Sequence, residues 1–313
     1  MKSKLIVSVS PHLHKNESVK KIMWMVVLSL LPTGLAGVFI FGPQSLWVIL
    51  LSVISALATE AGLQFLTKRK ITISDGSAFL TGLLLAYNLP AHVPFWIPVI
   101  GSAFSIAIGK QVFGGLGQNI FNPALVGRVF LMASWPKYIT TFTRPMIYDA
   151  VTQATPLALL KETKILEYVS YWDLFLGKRG GCIGEVCILA LLLGAIFLFA
   201  RGYISWHIPF SYIITVGLLA FVFGPNGLFT GDWFFHILSG GLVLGAFFMA
   251  TDYVTSPLTR RGQIIFGVGC GLITAVIRLW GGYPEGVSYA ILMMNAATPI
   301  IDRYTKNRIY GTK

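Results

Sequence analysis

Apolar residues run through this chain in blocks too long for a soluble core. Residues 22–59, 76–109 and 202–231 contain no Asp, Glu, Lys or Arg, and each block has room for one or two membrane-spanning helices at about 20 residues apiece. Reading the apolar stretches as helices gives spans near 22–41, 46–66, 77–90, 94–109, 121–135, 185–200, 206–223, 233–250, 262–280 and 286–301. The pattern predicts an all-α polytopic membrane protein of about ten transmembrane helices. It divides into a first five-helix group over residues 1–135, a polar insert over 136–184, and a second five-helix group over 185–313.

Composition agrees. The chain is 55% hydrophobic and 12% charged, with a mean hydropathy of +0.73, and no soluble core could hide that much apolar surface. The formal net charge of +12 does not imply nucleic acid, because a basic patch needs a solvated face and this chain offers almost none. Topology accounts for it better. With the N-terminus inside, most of the basic residues fall on one side, from Lys2 through Lys68–Lys70, Lys110, Arg201 and Arg260–Arg261 to Lys313. The short loops near Gln44, His92 and Asn226, on the other side, carry no Lys or Arg. This positive-inside pattern predicts that both termini are cytoplasmic. The N-terminal segment lacks a continuous apolar run followed by a small-residue cleavage site, so the first helix is expected to target the chain.

The two groups share features. Gly114-Gly115 and Gly281-Gly282 each precede the last helix of a group, and the stretch from Ser77 parallels the one from Ser239. Five is an odd number, so two repeats of five helices enter the membrane in opposite senses. That architecture places functional sites at the repeat interface, on interrupted helices. Ser77, Thr81, Gly82 and Asn88, with Ser239, Gly240, Gly241, Thr251 and Asp252, are the residues that would line such a place; close helix packing is the other reading of the glycines.

Several residues carry candidate chemistry. Glu60, Arg128, Asp252, Arg278 and Glu285 lie within or beside spans, where a charge must pair or face water. Arg128 suits a phosphate or carbonyl of a ligand, or an acidic partner. Asp252 and Glu285 suit a cation path, and helix-end snorkelling is an equal reading for Arg278 and Glu285. Asn119 and Asn122, before the fifth span, suit either helix capping or a ligand edge that both donates and accepts hydrogen bonds. The three cysteines, Cys182, Cys187 and Cys270, supply no ligand set for zinc or a four-thiolate cluster, and no metal is expected. Cys182 and Cys187 are close enough to pair, although inert packing is the simpler role. No G-x-G-x-x-G opens a βαβ unit, which excludes a dinucleotide-binding domain.

Within the insert stands Asp149-Ala150-Val151-Thr152-Gln153-Ala154-Thr155-Pro156. Taken alone it reads as a helix start, with Pro156 in the first turn of the segment LALLKE. Together with Asp75–Pro90, Gly114–Arg128, Met249–Pro257 and Pro284–Asp302 it resembles the RnfD and NqrB family of membrane proteins, from the Rnf and Nqr complexes, whose signature is D-x-x-[ST]-x-A-T. The resemblance implies FMN joined to Thr155 by a phosphoester. Asp149, Thr152, Gln153 and Ala154 would then be recognised by a separate flavin transferase, since no base stands by to activate the hydroxyl. It further implies non-covalent riboflavin near Asn119 and Asn122, and an electron path between flavins toward opposite membrane faces. Arg128 and Asp252 would serve the flavins or an ion path. The implied activity is electron transfer between ferredoxin and NAD coupled to Na⁺ or H⁺ movement, in the cytoplasmic membrane of a prokaryote. The partners would be the other subunits of the complex, among them a second FMN-bearing one. A solute or ion channel with the same inverted repeat and no redox role is the alternative.

Overall fold

The computed structural model describes residues 17–143, 152–163, 170–224 and 227–306. Among them the chain is mostly helical, with only two antiparallel hairpins of two-residue strands.

Helix α1 (Val19–Phe41) starts where Ser18 Oγ accepts the Lys21 N–H at 3.2 Å and ends at Gly42. Pro43 then opens α2 (Pro43–Leu66), at a position where the missing N–H costs nothing. Helix α3 (Ser77–Tyr87) begins below Asp75, whose Oδ1 accepts the Ser77 N–H at 2.8 Å. Helix α4 (Trp96–Ile106) runs on into a π-type turn at Ala107–Gln111. Asn122 caps α5 (Pro123–Ser134) by accepting from the N–H groups of Ala124 and Leu125. The insert follows as α6 (Pro136–Thr140), β1 (Phe142–Thr143), β2 (Thr152–Gln153), α7 (Pro156–Thr163) and α8 (Tyr171–Leu176), with Phe142 opposite Gln153 and Thr143 opposite Thr152.

The second group begins with α9 (Ile188–Ala200) and α10 (His207–Val222), then a hairpin of β3 (Phe223–Gly224) and β4 (Gly227–Leu228). Helix α11 (Trp233–Leu238) and the short α12 (Leu242–Leu244) follow, α12 continuing as a π-type turn at Gly245–Met249. The last helices are α13 (Arg260–Leu279) and α14 (Val287–Tyr304). Helix α1 packs on α9, α2 on α3 and α4, α10 on α13, and α13 on α14, with α5 meeting α14. The α2–α3 seam depends on Gly82, where a Cβ would lie 2.8 Å from Val53 Cα. Helices α1, α2 and α13 are long and apolar enough to cross a membrane. Large apolar residues such as Leu35, Phe39, Leu66 and Ile196 point outward, as expected of surfaces solvated by lipid.

Two stretches read as continuous helices are interrupted. The third, expected over 77–90, ends at Tyr87. Asn88 folds its amide back onto the Leu84 carbonyl at 2.7 Å, and the chain leaves the helix. The carbonyls of Tyr87 and Leu89 then accept from the N–H groups of Gly184 and Ile183 at 2.9 and 3.0 Å. A broken helix needs such replacement donors wherever water is scarce. The eighth, expected over 233–250, breaks at Ser239–Gly241, with Ser239 extended and Gly240 at φ 67°. Gly240 takes that left-handed conformation at no steric cost.

The segment that caps α3 also changes the picture of the insert. Its last part is not a solvated loop: Arg179, Cys182 and Glu185 are buried. All three cysteines are free thiols.

Candidate functional site

Thr155 stands one residue before α7, and its Oγ1 accepts the Ala158 N–H at 3.2 Å. The hydroxyl is therefore a helix cap, at the helix start that the local sequence predicted, and it is buried. It also borders a cavity of about 460 Å³, lined among others by Arg128, Phe142, Ala154, Lys161, Tyr283 and Glu285. That volume falls within the roughly 300–1,000 Å³ of small-molecule sites.

Arg128 reaches the cavity from the middle of α5. One of its terminal nitrogens, Nη2, pairs with Glu285 Oε2 at 2.8 Å, and the other, Nη1, donates to Asn88 Oδ1 at the break after α3. The acidic partner expected for Arg128 is thus Glu285, brought by the loop that opens α14. Behind this pair lie further buried charges. Arg179 donates to the Glu185 carbonyl at 3.0 Å, and Glu185 Oε1 accepts the Cys182 N–H at 2.8 Å. Arg278 donates to the carbonyls of His236 and Ser239 at 2.6 and 3.1 Å, so it does not snorkel. Lys161 donates to the carbonyls of Ile277 and Tyr283 at 3.2 and 2.8 Å, and burial lowers its ammonium pKa. Tyr283 stacks on Tyr289 with ring centroids 5.5 Å apart. The result is a recess lined by Phe142 and Tyr283, by Arg128 and Lys161, and by Glu162 and Glu285, with a threonine hydroxyl at its edge.

A second, narrower cavity of about 90 Å³ is lined by Asn119, Asn122 and Asp252, together with Lys110, Ser77 and Phe248. Asn119 donates to the Phe121 carbonyl at 3.1 Å and Asn122 to the Met249 carbonyl at 3.3 Å, so turn and cap roles are both realised. Asp252 accepts from the Val254 N–H and the Thr255 hydroxyl. Lys110 is no interfacial topology charge, because its Nζ is buried against Glu60 at 2.7 Å.

The residues singled out from the sequence therefore fall into two places. Thr155, Ala154 and Arg128 share one cavity, and Asn119, Asn122 and Asp252 share the other. Thr152 and Gln153 form β2, and Asp149 lies outside the described residues. Sequence reasoning missed Arg179 and Glu185 as buried groups and Lys161 as a half-buried one. The one signal was a run of Arg, Cys and Glu among glycines, Arg179-Gly-Gly-Cys-Ile-Gly-Glu185, too glycine-rich for an ordinary amphipathic surface.

The residues around Thr155 fit a phosphorylated flavin on their own chemistry. Glu285 Oε1 and Arg128 Nε are buried without partners, an acceptor and a donor of the kind a flavin's polar edge satisfies.

Comparison with known proteins agrees with the sequence motifs. Residues 6–311 match the NQR2, RnfD, RnfE family. The chain is 52% identical over 309 residues to the D component of the Na(+)-translocating ferredoxin:NAD(+) oxidoreductase complex of Acetobacterium woodii, covering 98% of this chain and 95% of that protein. It is 51% identical over 318 residues to the D component of the proton-translocating ferredoxin:NAD(+) oxidoreductase complex of Clostridium ljungdahlii, covering 98% and 96%. The D component of the ion-translocating oxidoreductase complex of Stutzerimonas stutzeri is 41% identical over 327 residues, covering 94% and 92%.

Proposed function

We propose, because this chain belongs to the NQR2, RnfD, RnfE family, that it is the flavin-bearing RnfD component of an Rnf-type membrane complex. The complex exchanges electrons between ferredoxin and NAD and couples that exchange to Na⁺ or H⁺ translocation. The observation that carries the flavin reading is the position of Thr155, at the edge of a cavity of about 460 Å³ that also presents Arg128, Lys161 and Glu285.

FMN, esterified to Thr155, supplies one- and two-electron chemistry when bound. The chain's own residues do the rest. Lys161 and Arg128 offset the negative charge of the phosphate, Tyr283 and Phe142 give the ring an aromatic wall, and Glu285 Oε1 accepts a hydrogen bond from a flavin N–H. Asp149, Thr152, Gln153 and Ala154 present Thr155 to a flavin transferase. The further partners are the other Rnf subunits, including a second FMN-bearing one. The test is peptide mapping of denatured protein from cells that contain a flavin transferase. A flavin phosphate mass on the Thr155 peptide supports the reading, and a colourless chain favours a non-redox channel.

The proposed topology is ten spans in two inverted five-helix repeats in the cytoplasmic membrane, with the insert outside and both termini inside. One feature supports it: the clustering of Lys and Arg along the sequence on one side of the spans. A reporter fused after Lys313 should signal cytoplasm and one inserted at Lys164 the opposite side. A cytoplasmic signal at Lys164 would refute the odd helix count of the first half.

Riboflavin is the second proposed cofactor, held without a covalent bond beside Asn119 and Asn122. The cavity there is narrow and Asn122 is engaged as a cap, so Asn119 is the amide free to exchange its Phe121 carbonyl for a ligand. Losing one such bond costs about 1–3 kcal/mol, or roughly tenfold in affinity. Asn119→Ala should therefore deplete extractable riboflavin and leave the Thr155-linked FMN in place. Asn122→Asp, which keeps the cap oxygen, should retain more riboflavin than Asn122→Ala. Equal riboflavin in Asn119→Ala and the parent would return Asn119 to a turn role.

A further inference from the structure

Helix α7 borders two cavities. Ala158 and Glu162 line the one beside Thr155, whereas Leu157 and Leu160 line a separate recess of about 440 Å³. Lys161, His236 and Arg278 are the polar members of that second lining, and Phe223, Leu228 and Trp280 belong to its apolar part. No Asp or Glu lines it among the described residues. Glu285 faces Gly240 and opens on the Thr155 cavity, and the unpartnered oxygen of Glu185 faces Gly241. Lys161 and Arg278 have no carboxylate oxygen within 4.0 Å among the described residues. Both bond to backbone carbonyls instead. Lys161 thereby uses two of the three N–H groups of an ammonium, and Arg278 keeps a buried Nε without a partner.

The apolar part of the recess continues the outward faces of two helices. On α13, Val268, Leu272 and Val276 are exposed at intervals of four residues, and the next step of the row is Trp280, just past the helix end. On α10, Phe210, Ile214 and Leu218 repeat the spacing, and Phe223 follows the helix directly. Residues four apart form a ridge along a helix surface. The two helices pack together, and the rings of Phe223 and Trp280 meet edge to face with centroids 5.1 Å apart. Both rings are exposed and both line the recess. Two apolar ridges therefore end where a cationic wall begins, and aromatic side chains at such a boundary suit the interface between hydrocarbon and headgroups.

We infer that this recess is a headgroup site for an anionic phospholipid, with the lipid phosphate beside Lys161 and Arg278 and the acyl chains along the α10 and α13 ridges. The inference rests on the membrane-spanning reading of these helices and is independent of the flavin. An anion is the ligand that offsets two cations held only by carbonyls. A zwitterionic headgroup would bring an ammonium for which the lining has no carboxylate, so the site selects lipids of net negative charge. The apolar ridges separate a lipid from free phosphate, because inorganic phosphate has nothing to lay against Phe223, Leu228 and Trp280.

The test reconstitutes the full chain into bilayers of equal phosphatidylglycerol and phosphatidylethanolamine, one of the two carrying a photoreactive acyl chain in each sample, and maps the labelled peptides. Peptides bearing Phe223, Leu228 and Trp280 should take label from phosphatidylglycerol about fivefold or more over phosphatidylethanolamine. The outward face of α1 around Leu35 and Phe39 is the internal reference and should show no such preference. Lys161→Gln should shrink the excess at the recess and Lys161→Arg should keep it. Leu160→Trp, which fills the recess without changing charge, should remove the excess; thermal unfolding verifies that each variant is folded. Equal labelling by the two lipids at the recess would overturn the inference, as would an excess unmoved by both Lys161→Gln and Leu160→Trp. Loss of the excess on adding inorganic phosphate would identify free phosphate as the occupant and overturn the lipid. In the assembled complex, crosslinks from this recess to another polypeptide in place of lipid would overturn it in favour of a protein partner. Labelling at neither the recess nor α1 would remove the membrane reading beneath it.

Discussion

Thr155→Ala should abolish all flavin that survives denaturation while leaving the chain in the membrane. The hydroxyl is the group proposed to carry the phosphoester, and alanine has none. The substitution also removes a helix cap, since Thr155 Oγ1 accepts the Ala158 N–H. Loss of a threonine cap costs about 0.5–2 kcal/mol, and a variant that merely misfolded would mimic the expected result. Thr155→Asn separates the two effects, because asparagine caps as well as threonine yet offers no hydroxyl for esterification. It should fold like the parent and be colourless. Thr155→Ser keeps both functions and should retain flavin in part. In-gel fluorescence with peptide mapping reads all three, and flavin recovered on a peptide that lacks residue 155 would end the assignment.

The helical character, the apolar surfaces and the start of α7 were legible because each is written locally. A stretch of uncharged residues needs no tertiary context to be read as membrane-embedded, and Pro156 after Thr155 marks the start of α7 wherever the helix packs. What escaped is set by contacts remote in sequence. Arg128 reads equally well as a flavin ligand or as half of an ion pair, and only the fold brings Glu285 to within 2.8 Å of it. Arg278 near a helix end reads as a snorkelling side chain, yet the break at Ser239 turns two carbonyls toward it. That break is itself hard to see, because Ser239-Gly240-Gly241 is as compatible with close helix packing as with a left-handed residue. Asn88 reads as a residue of an interrupted helix, but nothing near it in sequence shows that residues 183 and 184 cap α3 there.

Lys110 is the clearest case of a charge misread. Counted along the chain, it belongs to the cytoplasmic side; in the fold, its ammonium is buried with Glu60, both side chains at most 2% exposed. Its Nζ lies 2.7 and 3.0 Å from the two Glu60 oxygens and 2.6 Å from Ser77 Oγ. Gln64 and Gln111 each donate to Glu60 Oε1, at 3.1 and 3.0 Å, and the Ser77 hydroxyl donates in turn to Asp75 at 2.6 Å. The network joins α2, α3 and the π-type turn that ends α4.

Removing one member strands the other. Lys110→Met should leave an uncompensated carboxylate and destabilise the chain by about 3–5 kcal/mol, and Glu60→Gln should strand the ammonium at similar cost. Replacing both, as Glu60→Gln with Lys110→Met, leaves no buried charge and keeps the volume. A buried pair exchanged for neutral groups of like size is often close to neutral, so the double variant should recover more than half of either single loss. Thermal unfolding of the four proteins in one detergent completes the cycle. Additive losses would mean that Glu60 and Lys110 act independently, and the seam of α2, α3 and α4 would then owe its stability to apolar packing at Gly82 rather than to this pair.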